Sequence, residues 1–221
     1  MKRLTMIGLF LVAAVTASAR AQMTWHVDVN GGPPWDGLTW CTAFPDLQTT
    51  LLTAPLGPGD LILVAQGTYL PDTLAPGDPT QTFQLIPDVR IEGGYGGCFG
   101  GDYARDIVNT PSILSGDLFG DDAPVACTAD SPDCDSYGGR CLHGFCILPA
   151  NNGENSCHVV TGSGGAPPEI LDGFTITGGN AQAGCPMGGD GGGMYIWAGN
   201  PTVFDCTFEW NVASGNGGGM Y

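Results

Sequence analysis

Apolar residues in this chain fall in short alternating runs, with one exception. Thr24-Trp-His-Val-Asp-Val29 alternates and predicts a first strand. Leu61-Ile-Leu-Val-Ala65, Thr82-Phe-Gln-Leu-Ile86, Val89-Arg-Ile-Glu92, Ile113-Leu-Ser115 and Cys157-His-Val-Val-Thr161 follow, separated by Gly, Pro and Asp clusters. The exception is Pro45 to Ala54, where Phe44, Leu47, Leu51 and Ala54 share one helical face and Pro45 suits a first helical turn. This predicts one amphipathic helix ahead of many strands, with no strand–helix alternation of the kind that builds a doubly wound sheet.

Two repeats give the strands an order. Gly191-Gly-Gly-Met-Tyr195 returns as Gly217-Gly-Gly-Met-Tyr221, 26 residues later. Leu171-Asp-Gly-Phe-Thr-Ile-Thr-Gly-Gly-Asn180 shares its pattern with Pro201-Thr-Val-Phe-Asp-Cys-Thr-Phe-Glu-Trp-Asn211, so that Phe174 and Ile176 precede Cys206 and Phe208 by 32 residues and Asn180 precedes Asn211 by 31. One strand-rich unit per repeat at this period predicts a solenoid whose units bury their apolar faces against each other. Phe174, Ile176, Asn180, Gly192, Gly193, Cys206, Phe208 and Asn211 are its expected ladder positions. Cys206, read as alternating with Phe204 and Phe208 on one strand, is expected to point inward. The helix is expected to cap the open end of the core.

Composition sharpens this picture. The 221 residues include 37 Gly and 17 Pro, which here mark tight turns because the strands between them are rich in Val, Ile, Phe and Thr. Lys2 and Arg3, the apolar Leu4 to Val15 and the small-x-small Ala19-Arg20-Ala21 predict a signal peptide over 1–21, too short for a membrane span, and no second candidate follows. Residues 22–221 form the remaining domain. They contain Arg90, Arg105, Arg140 and no lysine against 22 acidic residues, which argues against nucleic acid and anionic lipid and makes Ca²⁺ a plausible ligand. All nine cysteines fit an oxidising compartment, and their odd number leaves one over. Residues 121–157 read as an inserted loop stapled by Cys127, Cys134, Cys141 and Cys146 in two local disulfides. First-to-third and second-to-fourth pairing is favoured among three connectivities.

Asp60-Leu-Ile-Leu-Val-Ala-Gln-Gly-Thr-Tyr69, Ile113-Leu-Ser-Gly-Asp-Leu118, Leu171 to Asn180 and the Gly-Gly-Met-Tyr pair with Phe208-x-x-Asn211 give the chain a family likeness. It resembles secreted bacterial right-handed parallel β-helix proteins with polymorphic outer membrane protein repeats, within the pectin-lyase-like superfamily. The resemblance covers Thr24 to Asp117 and Cys157 to Tyr221. The chain departs from it where the family has Ala and an aliphatic residue after Gly-Gly. It implies an all-β, right-handed parallel β-helix, with further coils and an anchor expected beyond Tyr221.

The resemblance raises two chemistries, and the residues answer each. A lyase needs an Arg or Lys base and carboxylate-bound Ca²⁺, but the three arginines are scattered along the sequence. A glycoside hydrolase needs paired carboxylates. Asp121-Asp122 with His143-Gly144 offers a superficial match but lies around the insertion. No residue is therefore assigned a catalytic or cofactor-binding role. Asp117, Asp121 and Asp122 form a candidate Ca²⁺ loop, with an acidic turn as the competing reading. His26, His143 and His158 lack metal-ligand spacing, and C-x6-C-x6-C-x4-C lacks a zinc knuckle. Trp35, Trp40, Trp197 and Trp210 are candidates for a sugar surface, with edge and turn packing as the competing reading for most of them; Trp197 and Trp210 are the two to test. The resulting reading is an exported, non-enzymatic stalk or adhesin-like protein, secreted or at the cell surface, presenting loops to glycans. The alternative is a polysaccharide-active enzyme whose site lies on later coils.

Overall fold

The computed structural model describes residues 20–100, 104–128, 134, 141–142, 144–146, 151–162 and 164–221. Apart from Arg20 and Ala21, the expected signal segment lies outside them, as do Arg140 and His143. Among the described residues no helix is long and apolar enough to cross a membrane.

The protein is mostly β-structure, in parallel sheets. The largest sheet orders β1 (Thr24–Val27), β2 (Leu61–Ala65), β5 (Arg90–Tyr95), β10 (Ile170–Asp172) and β14 (Thr202–Phe204). A second orders β3 (Gly67–Tyr69), β6 (Ser112–Ser115), β11 (Phe174–Thr177) and β15 (Thr207–Glu209), and a third β4 (Phe83–Gln84), β9 (Val160–Gly162) and β13 (Met194–Ile196). A short ladder pairs β12 (Asn180–Ala181) with β16 (Val212–Ala213), and β7 (Cys141–Leu142) and β8 (Phe145–Cys146) form an antiparallel pair in the expected insertion. From β2 to β15, setting aside these two short pairs, strands enter the three sheets in a recurrent order: largest, second, third, then largest again.

The registers line up like residues across each sheet. Trp25, Ile62, Ile91, Leu171 and Val203 form one column, Tyr69, Leu114, Ile176 and Phe208 a second, and Phe83, Val160, Met194 and Met220 a third. Most of these side chains are almost fully buried and share one apolar cluster. Alternation sends every second residue inward on the longer strands, as with Trp25 and Val27, Ile62 and Val64, and Phe174 and Ile176. Ile176 pairs with Phe208, as expected; Phe174 begins β11, whereas Cys206 lies just ahead of β15 and outside the paired register.

The two related runs are each broken in a way their alternation conceals. Gly173 (φ +79°) separates β10 from β11, and Asp205 (φ +45°) separates β14 from β15. This left-handed corner turns Phe204 outward to 52% exposure, whereas Phe208 packs against the core. Phe204 is therefore not on the inward face with Phe208. Cys206 is half-buried against the core, is the free cysteine among those described, and burial pushes its thiol above the ordinary range.

The asparagine ladder is corrected as well. Asn180 pairs with Val212, while Asn211 lies beside Gly179, donating to Ile176 O at 2.8 Å and accepting from Gly179 N at 2.9 Å. Asn180 instead donates to Asn152 O at 2.7 Å. The repeated glycine motif does stack: Gly193 N donates to Gly218 O and Met194 N to Gly219 O. A Cβ on Gly193 would stand 2.5 Å from Gly219 O, so this close approach requires glycine. Tyr195 then stacks on Tyr221 with ring centroids 5.8 Å apart.

Helix α1 spans Leu47–Thr53, shorter than expected at both ends. Asp46 caps it by accepting from Thr49 N at 2.6 Å, so Pro45 precedes the cap and lies outside the first turn. Leu47 and Leu51 enter the core, and α1 packs against β4, the edge strand of the third sheet.

Four disulfides are formed. Cys127–Cys141 and Cys134–Cys146 join first to third and second to fourth in the expected insertion, while Cys41–Cys98 and Cys157–Cys185 span 57 and 28 residues. Such bonds persist in oxidising compartments.

Candidate functional site

Two groups of charged side chains stand out, one on the face of the largest sheet and one beside the insertion. On β5, Ile91 points inward, so Arg90 and Glu92 point outward. Asp172 lies opposite Glu92 on β10. Arg90 Nη2 donates to Asp172 Oδ2 at 2.7 Å and pairs with Glu92 through Nε. Arg105 reaches the same carboxylate from the loop after β5, donating to Asp172 Oδ1 at 2.5 Å and to Gly93 O at 2.8 Å. Tyr95 OH donates to Glu92 at 2.7 Å.

The scatter of arginines in the sequence is thus overturned for two of the three: Arg90 and Arg105 converge on Asp172. Although burial opposes it, the bond to Asp172 and its charge hold the Arg105 guanidinium above its ordinary value. Burial first, then Glu92, raises the Tyr95 phenol as well. Two guanidiniums thus face two carboxylates, and Arg105 is held in its protonated form. That is the opposite of what a general base requires.

The second group begins at the loop after β6. Asp117 Oδ1 accepts from Gly120 N at 2.7 Å and Asp121 N at 3.1 Å, and its Oδ2 accepts from Asp122 N at 3.2 Å. Asp117 and Asp121 are joined by Glu154, each offering a carboxylate oxygen within 4.8 Å of the others. Asp122, expected in that set, turns instead to Asn155, whose Nδ2 donates to it at 2.8 Å. Burial, with the nearby Asp117 and Asp121 charges, holds Asp122 above the usual carboxylate range, and burial with Asp121 does the same to Glu154. Nothing in the sequence near Asp117 pointed to Glu154, because the insertion separates them.

A groove of about 160 Å³ opens beside this loop, lined by Ser115, Asp117, Asp122, Pro124, Thr177 and Trp210. Trp210 is 44% exposed and held at φ +54°, the corner where the preceding layer has Gly178 at +73°. A bulky residue in this conformation carries strain, which tends to occur at functional positions. Phe145 of the insertion meets Trp210 edge-on at 6.3 Å.

The other flagged side chains are dispersed. Trp197 and Trp35 are exposed away from this groove's lining, and Trp40 is buried against His26 and Tyr95. His26 bonds to Gly37 O, and burial lowers its imidazole pKa. His158 bonds to Gly191 O and packs on Tyr195. In comparisons with known proteins, no family model matches the chain, and neither does any curated protein or solved structure.

Proposed function

We propose that this chain is an exported right-handed parallel β-helix of the polymorphic outer membrane repeat type, which works by display rather than catalysis. In this reading it is a secreted or surface-held stalk whose groove at Trp210 contacts glycans. The recurrent order of the sheets, the 32-residue register that pairs Ile176 with Phe208 and the four disulfides support the architecture and an export route.

One observation carries the functional reading. The exposed Trp210 indole stands over a groove that combines the Ser115 and Thr177 hydroxyls with the Asp117 and Asp122 carboxylates. A flat apolar ring beside hydrogen-bonding groups suits a pyranose, which presents an apolar face and a rim of hydroxyls. The carboxylates favour a neutral sugar over a uronate. The enzyme reading rests on a different observation, the convergence of Arg90 and Glu92 on β5, Asp172 on β10 and Arg105 on the loop after β5.

The test is retention of the purified protein on immobilised neutral polysaccharides: a glucan, a mannan, a galactan and chitin. Wild-type protein should bind at least one of them, and Trp210→Ala should weaken that binding by about tenfold or more, as loss of a central aromatic anchor does. Retention on none of the four, or binding untouched by Trp210→Ala, would overturn the glycan reading.

A further inference from the structure

Three carboxylate oxygens, from Asp117, Asp121 and Glu154, lie within 4.8 Å of one another, and among the described residues no arginine is paired with them. Arg90 and Arg105 are engaged at Asp172, and Arg20 pairs with Asp60. Like charges at this spacing repel unless a counter-charge or a proton stands between them.

A second observation points the same way. Glu154 Oε1, Asp122 Oδ1 and Asn155 Oδ1 are buried oxygens without a hydrogen-bond donor. Asn155 is only 3% exposed, and its Nδ2 is already committed to Asp122 at 2.8 Å. Asn155 thus adjoins Glu154 in the chain and Asp122 through its amide, and its Oδ1 is a buried acceptor with no donor. Buried acceptors are ordinarily satisfied, so several unsatisfied oxygens in one place call for a ligand that only accepts lone pairs.

We infer that Asp117, Asp121 and Glu154, backed by Asp122 and Asn155, form a Ca²⁺ site. An all-oxygen donor set excludes the softer metals that prefer nitrogen or sulfur. Oxygens about 2.4 Å from one ion stand at most about 4.8 Å apart, which the three carboxylates satisfy, and irregular loops suit Ca²⁺ better than octahedral Mg²⁺. The ion joins the loop after β6 to the segment before β9, pinning together the two ends of the cysteine-rich insertion beside the groove. This inference does not rest on the glycan reading, because it uses neither Trp210 nor a sugar.

The experiment is calorimetric titration of the metal-stripped full chain with CaCl₂ and separately with MgCl₂. A parallel titration with Tb³⁺ follows its luminescence on excitation of the protein's tryptophans and needs no variant. Wild-type protein should take up one Ca²⁺ per chain with a saturable isotherm, and Ca²⁺ should displace Tb³⁺. Asp121→Asn and Glu154→Gln, checked for folding by circular dichroism, should each weaken Ca²⁺ binding at least tenfold, while Asp36→Asn, an exposed acid elsewhere, should not. Non-saturating uptake, equal uptake of both ions, Tb³⁺ luminescence unaffected by Ca²⁺, or full affinity in both site variants would overturn the inference.

Discussion

The face of the largest sheet and the edge of the insertion use the same kinds of charged group to opposite ends. At Asp172 two guanidiniums and two carboxylates close on each other, and Tyr95 satisfies Glu92 further. At Asp117, Asp121, Asp122 and Glu154 four carboxylates gather with no described cation among them, and buried oxygens there lack donors. In the first group each charge faces an opposite one, which ties β5, β10 and the Arg105 loop together. The second is incomplete without a proton or a cation. Proximity of charges alone does not mark a binding site; what separates these two clusters is whether each charge already has its partner.

The sharpest way to break this contrast is to remove one carboxylate from each cluster in metal-free protein. Asp172→Asn removes an acceptor shared by two arginines and only 6% exposed, so it should cost about 3 kcal/mol in urea denaturation. Glu154→Gln should act with the opposite sign and raise stability by roughly 0.5 kcal/mol, since it relieves repulsion partly screened by solvent. Equal losses in the two variants would mean that the acidic edge is as self-contained as the arginine cluster.

A smaller effect concerns pH. Asp122 and Glu154 have folded pKa values raised above the ordinary carboxyl range, so their ionised forms oppose folding. That cost is absent at low pH and grows as pH rises through the raised range. The advantage of Glu154→Gln over wild type at neutral pH should therefore shrink as pH falls through that range, read from paired denaturation curves. An advantage that does not change with pH would remove the electrostatic explanation.

The parts of the molecule legible in the sequence are those fixed by local spacing. The 32-residue offset of Ile176 and Phe208 is the strand register, and four closely spaced cysteines permit few pairings. The strand run through Cys206 misled because alternation is blind to a left-handed corner at a non-glycine residue, and Asp205 makes one. Matching Asn180 to Asn211 put the ladder one step out of register, because Asn211 fills space beside Gly179, which has no side chain. Both charged clusters depend on long-range partners. Arg105 meets Asp172 across 67 residues, and Glu154 reaches Asp121 across the insertion, so neither convergence could be read from spacing.

The central claim is that Arg90 and Arg105 serve as partners of Asp172 and not as a base and a charge clamp for a uronate. Its most direct test is incubation of the purified protein with polygalacturonate and Ca²⁺ while following the ultraviolet absorbance of unsaturated product. Arg105, held in its protonated form beside Asp172, cannot act as the base, and each missing catalytic group costs about 10²-fold or more in rate. The account predicts no product above the protein-free control. Sustained turnover that Arg105→Lys abolishes, with the fold retained by circular dichroism, would contradict it.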